Sequence, residues 1–296
     1  MKSIVRPLVL AVLTIGAVSH PLAQMLNKDA PVRVGHYHLN VSSVADHKKF
    51  WVDTLGGKAG RFGNEDTVIF GDVVLILHQQ KPTGGTRGTT IDHIGLASTD
   101  VAALADKVVK AGYKRTVSRE NAATAAQPNG GVSAVYGRFE YFLGPDDVKV
   151  EVVTATSSPD KPAPPIAHHH VHYINPQYVE MRDWYVKALD ATPRTGPNTF
   201  TDYFAGADLP GIGYMLNFFR LEREGTLTGS AGRVIDHVGF EVRNLDDFCR
   251  KLEAKGIKLT QPVHRIAELG NVKSATVVDP WGTVMELTEG MEAALR

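Results

Sequence analysis

A chain of 296 residues is too long for one ordinary hydrophobic core and suits two domains of middling size. Its 32 basic and 32 acidic side chains balance, with no long run of either sign, so charge gives no basis for binding nucleic acid or an anionic membrane surface. The one cysteine, Cys249, excludes an internal disulfide, so stability must come from the cores or from metal.

The N-terminus predicts an export signal over residues 1–24. Lys2 and Arg6 give a positive start, and Leu8 to Val18 is an apolar run too short to span a bilayer comfortably. Small and polar residues including Ser19 and Ala23 follow, which places cleavage near Ala23 and the mature protein in the periplasm or outside the cell, free of the membrane. An uncleaved anchor is the alternative.

From Gly35 onward one plan recurs: a short apolar strand carrying a histidine, then an amphipathic helix. GHYHLNV begins at Gly35, IDHIGLA at Ile91, IAHHHVHYIN at Ile166 and IDHVGFE at Ile235. An offset of 134 aligns His36 with His170, Phe50-Trp51 with Trp184-Tyr185, and Leu55 with Leu189. An offset of 144 aligns Ile91-Asp92-His93-Ile94-Gly95 with Ile235-Asp236-His237-Val238-Gly239, and Gly112 with Gly256. The stretches DVAALADKVVKAG and LDDFCRKLEAKG have helical apolar spacing and end in a glycine stop; Cys249, within the second, reads as packing. Short β-like runs follow each helix, so each unit reads β-α-β-β-β. Two repeat pairs in order imply internal duplication. The Pro-rich stretch around 156–165 reads as a linker between domains at 32–155 and 166–290.

The last strands carry acids. Gly144-Pro145 precedes Glu151 and Asp279-Pro280 precedes Glu286, each with six residues from proline to glutamate. A glutamate among strand valines needs a partner if it is buried. His170, His237 and Glu286 in the second half, and His36, His93 and Glu151 in the first, each make a facial set of two imidazoles and one carboxylate. Such a set holds one divalent metal with coordination positions left open. The donors favour Fe(II) or Mn(II) and are compatible with Zn(II) or Ni(II). His38 and His172 lie two residues past the proposed ligands, on the same strand face, where they line a pocket or move protons. The other two units carry Gly95 and Gly239 at that place. His78 is a candidate fourth ligand in the first half, Asn217 a poor one in the second, and His168 and His169 read as linker-end residues.

These residues resemble the vicinal oxygen chelate superfamily, which groups glyoxalase I, bleomycin-resistance proteins and type I extradiol dioxygenases. The likeness rests on HYHLNV, IDHIGL, HHVHYI, IDHVGF and the DPWGTVME run ending at Glu286. It implies an α+β fold of four tandem βαβββ modules, forming two glyoxalase-like domains with curled eight-stranded sheets. Four modules in one chain most resemble the extradiol enzymes, which implies Fe(II) at His170, His237 and Glu286 and a catecholic substrate. Those enzymes carry a tyrosine just ahead of the Asp-Pro turn, where this chain has Thr276, and a histidine shortly before the turn, from which His264 is too distant. No pocket histidine stands in NTFTDYFAG, though Tyr203 is near; His172 and Tyr203 are the candidate catalytic groups.

The expected function is a metal-dependent enzyme acting on a small vicinal-oxygen substrate, with a dioxygenase as the first reading. A glyoxalase-like lyase or isomerase, a non-catalytic binding protein of bleomycin-resistance type and a structural metal protein remain as alternatives. Both a monomer and a homo-oligomer fit the chain.

Overall fold

The computed structural model describes residues 30–117, 130–133, 137–156, 163–211, 215–222 and 225–295. The export signal expected at 1–24 and most of the expected linker lie outside these residues. No helix among them is long and apolar enough to cross a membrane.

Four modules follow one another. The first has β1 (Val32–Val41), α1 (Val44–Lys48) running into a π-helical segment (Lys49–Thr54), β2 (Lys58–Phe62), β3 (Glu65–Phe70) and β4 (Val73–Gln79). The second has β5 (Ile91–Ser98), α2 (Val101–Lys110), β6 (Lys114–Thr116), β7 (Gly131–Ser133), β8 (Gly137–Leu143) and β9 (Lys149–Thr154). The third has β10 (Ile166–Asn175), α3 (Tyr178–Leu189), β11 (Thr192–Pro193), β12 (Phe204–Asp208) and β13 (Met215–Arg220). The fourth has β14 (Ile235–Val242), α4 (Leu245–Ala254), β15 (Gln261–Ile266), β16 (Val272–Val278) and β17 (Val284–Glu289), then a short α5 (Met291–Ala294).

Local chemistry explains the helices. Asp100 caps α2 by accepting from the Ala103 N–H at 2.9 Å, and Asn244 caps α4 by accepting from the Asp247 N–H at 3.1 Å. Gly112 and Gly256, just past the two helix ends, adopt φ of +93° and +79°, which glycine reaches without steric cost. Alternation divides the strands. In β10 and β13, Tyr173 and Phe218 stack with Tyr185 of α3, so that face carries the helix and the core. His170, His172 and Asn217 therefore point to the opposite face.

The strands form two open sheets of eight and nine strands. The first runs β15-β16-β17-β14-β1-β4-β3-β2; the second runs β11-β12-β13-β10-β5-β9-β8-β6, with β7 on β8. Module one therefore shares a sheet with module four, and module two with module three. This corrects the expectation that modules pair within the halves 32–155 and 166–290. The repeat pattern is the same under either pairing, so it does not select one. The segments between modules accompany the crossing: Thr83 N–H donates to Gly232 O at 2.8 Å, and Arg233 Nη2 donates to the Gly85 and Arg87 carbonyls at 2.9 and 2.8 Å. Each half stays joined by other contacts. His47 after β1 meets Asp146 after β8 at 3.1 Å, and Tyr185 of α3 donates to Asp279 after β16 at 3.2 Å.

Candidate metal centres

Register assembles both sites by one rule. In the second sheet, His170, Gly95, Glu151 and Tyr141 stand in a row across β10, β5, β9 and β8. In the first sheet, His36, Gly239, Glu286 and Thr276 stand in a row across β1, β14, β17 and β16. Histidine and glutamate are thus two strands apart, about 9.6 Å at the backbone. They meet because the residue between them has no side chain: a Cβ on Gly95 would overlap the His170 imidazole, and one on Gly239 that of His36. The second histidine of each site comes from the neighbouring row, where His93 pairs with His172 and His237 with His38.

In the second-sheet site, His93 Nε2 and His170 Nε2 lie 3.0 and 2.9 Å from the same Glu151 oxygen and 3.2 Å from each other. Ligands at about 2.1 Å from a metal and at right angles are about 3.0 Å apart, so this triangle has the size of one octahedral face. Tyr141 donates to the other Glu151 oxygen at 2.5 Å. His93 Nδ1–H donates to Asp92 at 2.6 Å, and Lys149 Nζ donates to the same Asp92 oxygen at 2.8 Å. Burial opposes charge on Glu151, but hydrogen bonds from His170 and His93 hold its carboxyl well below the usual range. Burial likewise opposes charge on His93, where Asp92 and Glu151 outweigh it and raise the pKa. His172 is 2% exposed, and neither ring nitrogen has a hydrogen-bond partner among the described residues. Burial first, then His93 and His170, push its pKa well below 6.5. His172 joins His93, His170 and Glu151 in one group whose donor atoms all lie within 4.8 Å of each other.

The first-sheet site is more open. His36 Nε2 and His237 Nε2 approach one Glu286 oxygen at 2.8 and 3.2 Å, and Ser274 donates to the other at 2.5 Å. Asp236 accepts from His237 Nδ1–H at 2.7 Å. The His237 and Glu286 side chains are 15% and 19% exposed, against 0% and 7% for His93 and Glu151. Burial opposes charge on His237, yet hydrogen bonds to Asp236 and Glu286 raise its pKa to about 9. Glu286 is held well below the carboxylate range by His237 and His36, against the effect of burial.

All six expected ligands fall in these two groups, but His36 and His170 exchange places relative to the expected sets. The reason is the pairing of β1 with β14 and of β10 with β5. His38 stacks on His237 with ring centroids 4.8 Å apart and lies 5.2 Å from His78. His78 turns to Glu65 at 3.1 Å and stands outside the triad. Tyr203 joins neither group; its ring meets Phe219, which in turn lies 3.9 Å from His172. His168 is buried and meets the Tyr37 hydroxyl at 2.8 Å across the two sheets, which corrects its reading as a linker-end residue. His169 Nδ1 is 2.8 Å from His170 Nδ1. Cys249 is buried, and burial pushes its thiol up to about 11, in keeping with packing.

Tyr141, Asp92, Asp236, Lys149 and Ser274 were not singled out as site residues from the sequence. Three of them had a signal there: the aspartate ahead of the histidine occurs in both IDH motifs, as Asp92 and Asp236, and Tyr141 stands three residues before Gly144 as Thr276 does before Asp279.

The donor sets fit a divalent ion. Each brings two imidazole nitrogens and a carboxylate oxygen together in a partly or wholly buried place, and the His172 nitrogens and His36 Nδ1 are buried with no hydrogen-bond partner among the described residues. Paired βαβββ modules with a His-His-Glu group in each sheet define the class. Residues 33–152 match the model of the Glyoxalase/Bleomycin resistance protein/Dioxygenase superfamily, and this stretch belongs to it. Among solved structures, the fold is similar to glyoxalase I from Zea mays at 19% identity, covering 88% of this chain and 94% of that one with a TM-score of 0.66. It is also similar to a protein of Bacillus subtilis subsp. subtilis str. 168 provisionally described as a dioxygenase, at 12% identity, covering 86% and 84% with a TM-score of 0.63. No curated protein matches the chain in sequence.

Proposed function

We propose that the protein is a metal-dependent enzyme that binds a small vicinal-oxygen substrate at the second-sheet site, and that it acts as a dioxygenase. The observation that carries this reading is the triangle of His93, His170 and Glu151 with Tyr141 and His172 beside it. His93, His170 and Glu151 would hold the ion, with Fe(II) or Mn(II) favoured by the donors. When bound, the ion would supply a Lewis acid for the two substrate oxygens to chelate. Asp92 accepts from His93 Nδ1–H, which would leave Nε2 as the nitrogen to hold the ion, and Lys149 fixes Asp92. Tyr141 orients Glu151 by engaging one carboxylate oxygen and leaving the other to the histidines. Burial keeps His172 neutral, so its one unprotonated ring nitrogen is free to accept a hydrogen bond from a substrate hydroxyl.

The tyrosine absent ahead of Asp279 has its counterpart in Tyr141, which favours ring cleavage over a glyoxalase-like isomerisation. The first-sheet site, His36, His237 and Glu286, is a second candidate for metal. We further propose export, testable by the N-terminal sequence of protein recovered from a periplasmic fraction. The function is tested by oxygen uptake when catechol is added to anaerobically Fe(II)-loaded protein. Uptake lost in Glu151→Gln is expected; isomerisation of a thiol hemiacetal without oxygen uptake would assign the lyase reading instead.

A further inference from the structure

The second-sheet centre touches one histidine that the proposed chemistry leaves unused. His169 lies in β10 at a register shift: His168 pairs with Leu96 and His170 with Gly95, so His169 is the extra residue of a bulge. A bulge re-aims the side chain it carries. Here it sets the half-buried His169 ring edge-on to that of His170, with centroids 5.1 Å apart and Nδ1 2.8 Å from Nδ1. Of two ring nitrogens at that distance, one must donate and the other accept. His170 Nε2 faces Glu151 at 2.9 Å and His93 Nε2 at 3.2 Å. A His170 that holds an ion there carries its hydrogen on Nδ1 and gives it to His169.

The first sheet has the same bulge without that acceptor. β1 shifts register between Val34 and His36, and the extra residue is Gly35, 134 positions before His169. A Cβ on Gly35 would stand 3.1 Å from Glu241 Cβ, whereas the second sheet has Ala97 at the place of Glu241. The glycine thus packs against a long side chain and the histidine against a short one. His36 Nδ1 is buried with no hydrogen-bond partner among the described residues. In metal-free protein His36 can donate Nε2–H to Glu286 at 2.8 Å and keep Nδ1 bare. Holding an ion through Nε2 moves the hydrogen to Nδ1, and a buried N–H without an acceptor is costly. His93 and His237 have Asp92 and Asp236 as acceptors and His170 has His169, so His36 differs from the other three donor histidines.

We infer that His169 is a positioning residue, which holds His170 in the Nδ1–H tautomer and makes the second-sheet centre the tighter of the two metal sites. The inference rests on both triads binding metal, and its test separates the two. Competitive titration with a chromogenic chelator measures Zn(II) affinity in two single-site proteins. His237→Ala keeps the second-sheet centre, and His93→Ala keeps the first. The second-sheet centre should bind about tenfold tighter or more. Within the His237→Ala protein, His169→Leu should weaken zinc binding by about ten- to a hundredfold. His169→Gln, whose amide oxygen accepts in the same place, should retain most of the affinity. Nitrogen-15 histidine NMR of the zinc-loaded proteins reads the tautomer. A His170 Nδ1–H protected from exchange with water is expected with His169 or Gln at this position and lost with Leu. Equal affinity of the two centres, or full affinity with a protected Nδ1–H in His169→Leu, would overturn the inference. Equal losses in His169→Leu and His169→Gln would overturn it too, by making His169 packing alone. If neither single-site protein binds zinc, the metal-site reading itself fails, and this inference with it.

Discussion

The imidazole of His36 occupies the space that a side chain on Gly239 would fill. The glycine of the IDHVG motif is thus a seat for a histidine from the other half of the chain, and Gly95 plays the same part for His170. A methyl group at either position would push a rigid, buried ring off its donor geometry. Gly239→Ala is expected to weaken metal binding at the first-sheet site by tenfold or more, about 1.4 kcal/mol, while the second-sheet site keeps its ion. Competitive titration with a chromogenic chelator measures this, and Gly95→Ala should give the mirror result.

The Tyr141 hydroxyl donates to Glu151 while its ring packs edge-on against His93 with centroids 5.3 Å apart, so its role is to orient the carboxylate. Tyr141→Phe should leave the metal content of the second-sheet site intact and lower kcat by about 10²-fold, a loss in the range of positioned proton-transfer groups. An unchanged kcat with intact metal would show Tyr141 to be packing alone.

The pH dependence of the first-sheet site follows from His237. Its folded pKa, about 9, lies above the ordinary 6.5, because hydrogen bonds to Asp236 and Glu286 outweigh burial. In metal-free protein this group contributes stability that is fully present below about pH 6.5 and lost as the pH rises through about 9. Metal binding must expel that proton. Chelator-treated protein should therefore lose thermal stability between these pH values, less steeply in His237→Asn. Binding of Zn(II) to this site at pH 7.5 should release about one proton from His237, read by calorimetry in buffers of different ionisation enthalpy.

His47 is fully buried and serves two partners: Trp51 Nε1–H donates to its Nδ1 at 3.1 Å, and Asp146 lies 3.1 Å from its Nε2. His47→Ala removes both bonds and leaves a cavity under the π-helical segment. A loss of about 2–4 kcal/mol is expected in urea unfolding, with metal stoichiometry unchanged.

The four modules, their helices and all six donor residues were legible in the sequence because repetition is local: His36, His93, His170 and His237 each sit in a strand followed by a helix. What was not legible is which modules share a sheet. Gly95 can seat a histidine from β1 or from β10 with the same motif, since IDHIG is blind to the strand that pairs with it. The exchange of His36 and His170 follows from that degeneracy alone. Tyr141 reads from the sequence as one of several aromatics near the sites that line a pocket or fill the core, with core preferred; the tyrosine expected ahead of Asp279 has its place filled instead in the second module, whose turn has glycine in place of aspartate.

The central claim is that each metal centre is built from both halves of the chain, His36 with His237 and Glu286, and His170 with His93 and Glu151. Metal content of purified double variants, read by elemental analysis, tests it most directly. His36→Ala combined with His237→Ala should remove one ion and leave one per chain, whereas His36→Ala combined with His93→Ala should leave none. The reverse result, one ion retained when His36 and His93 are removed together and none when His36 and His237 are, would contradict the account.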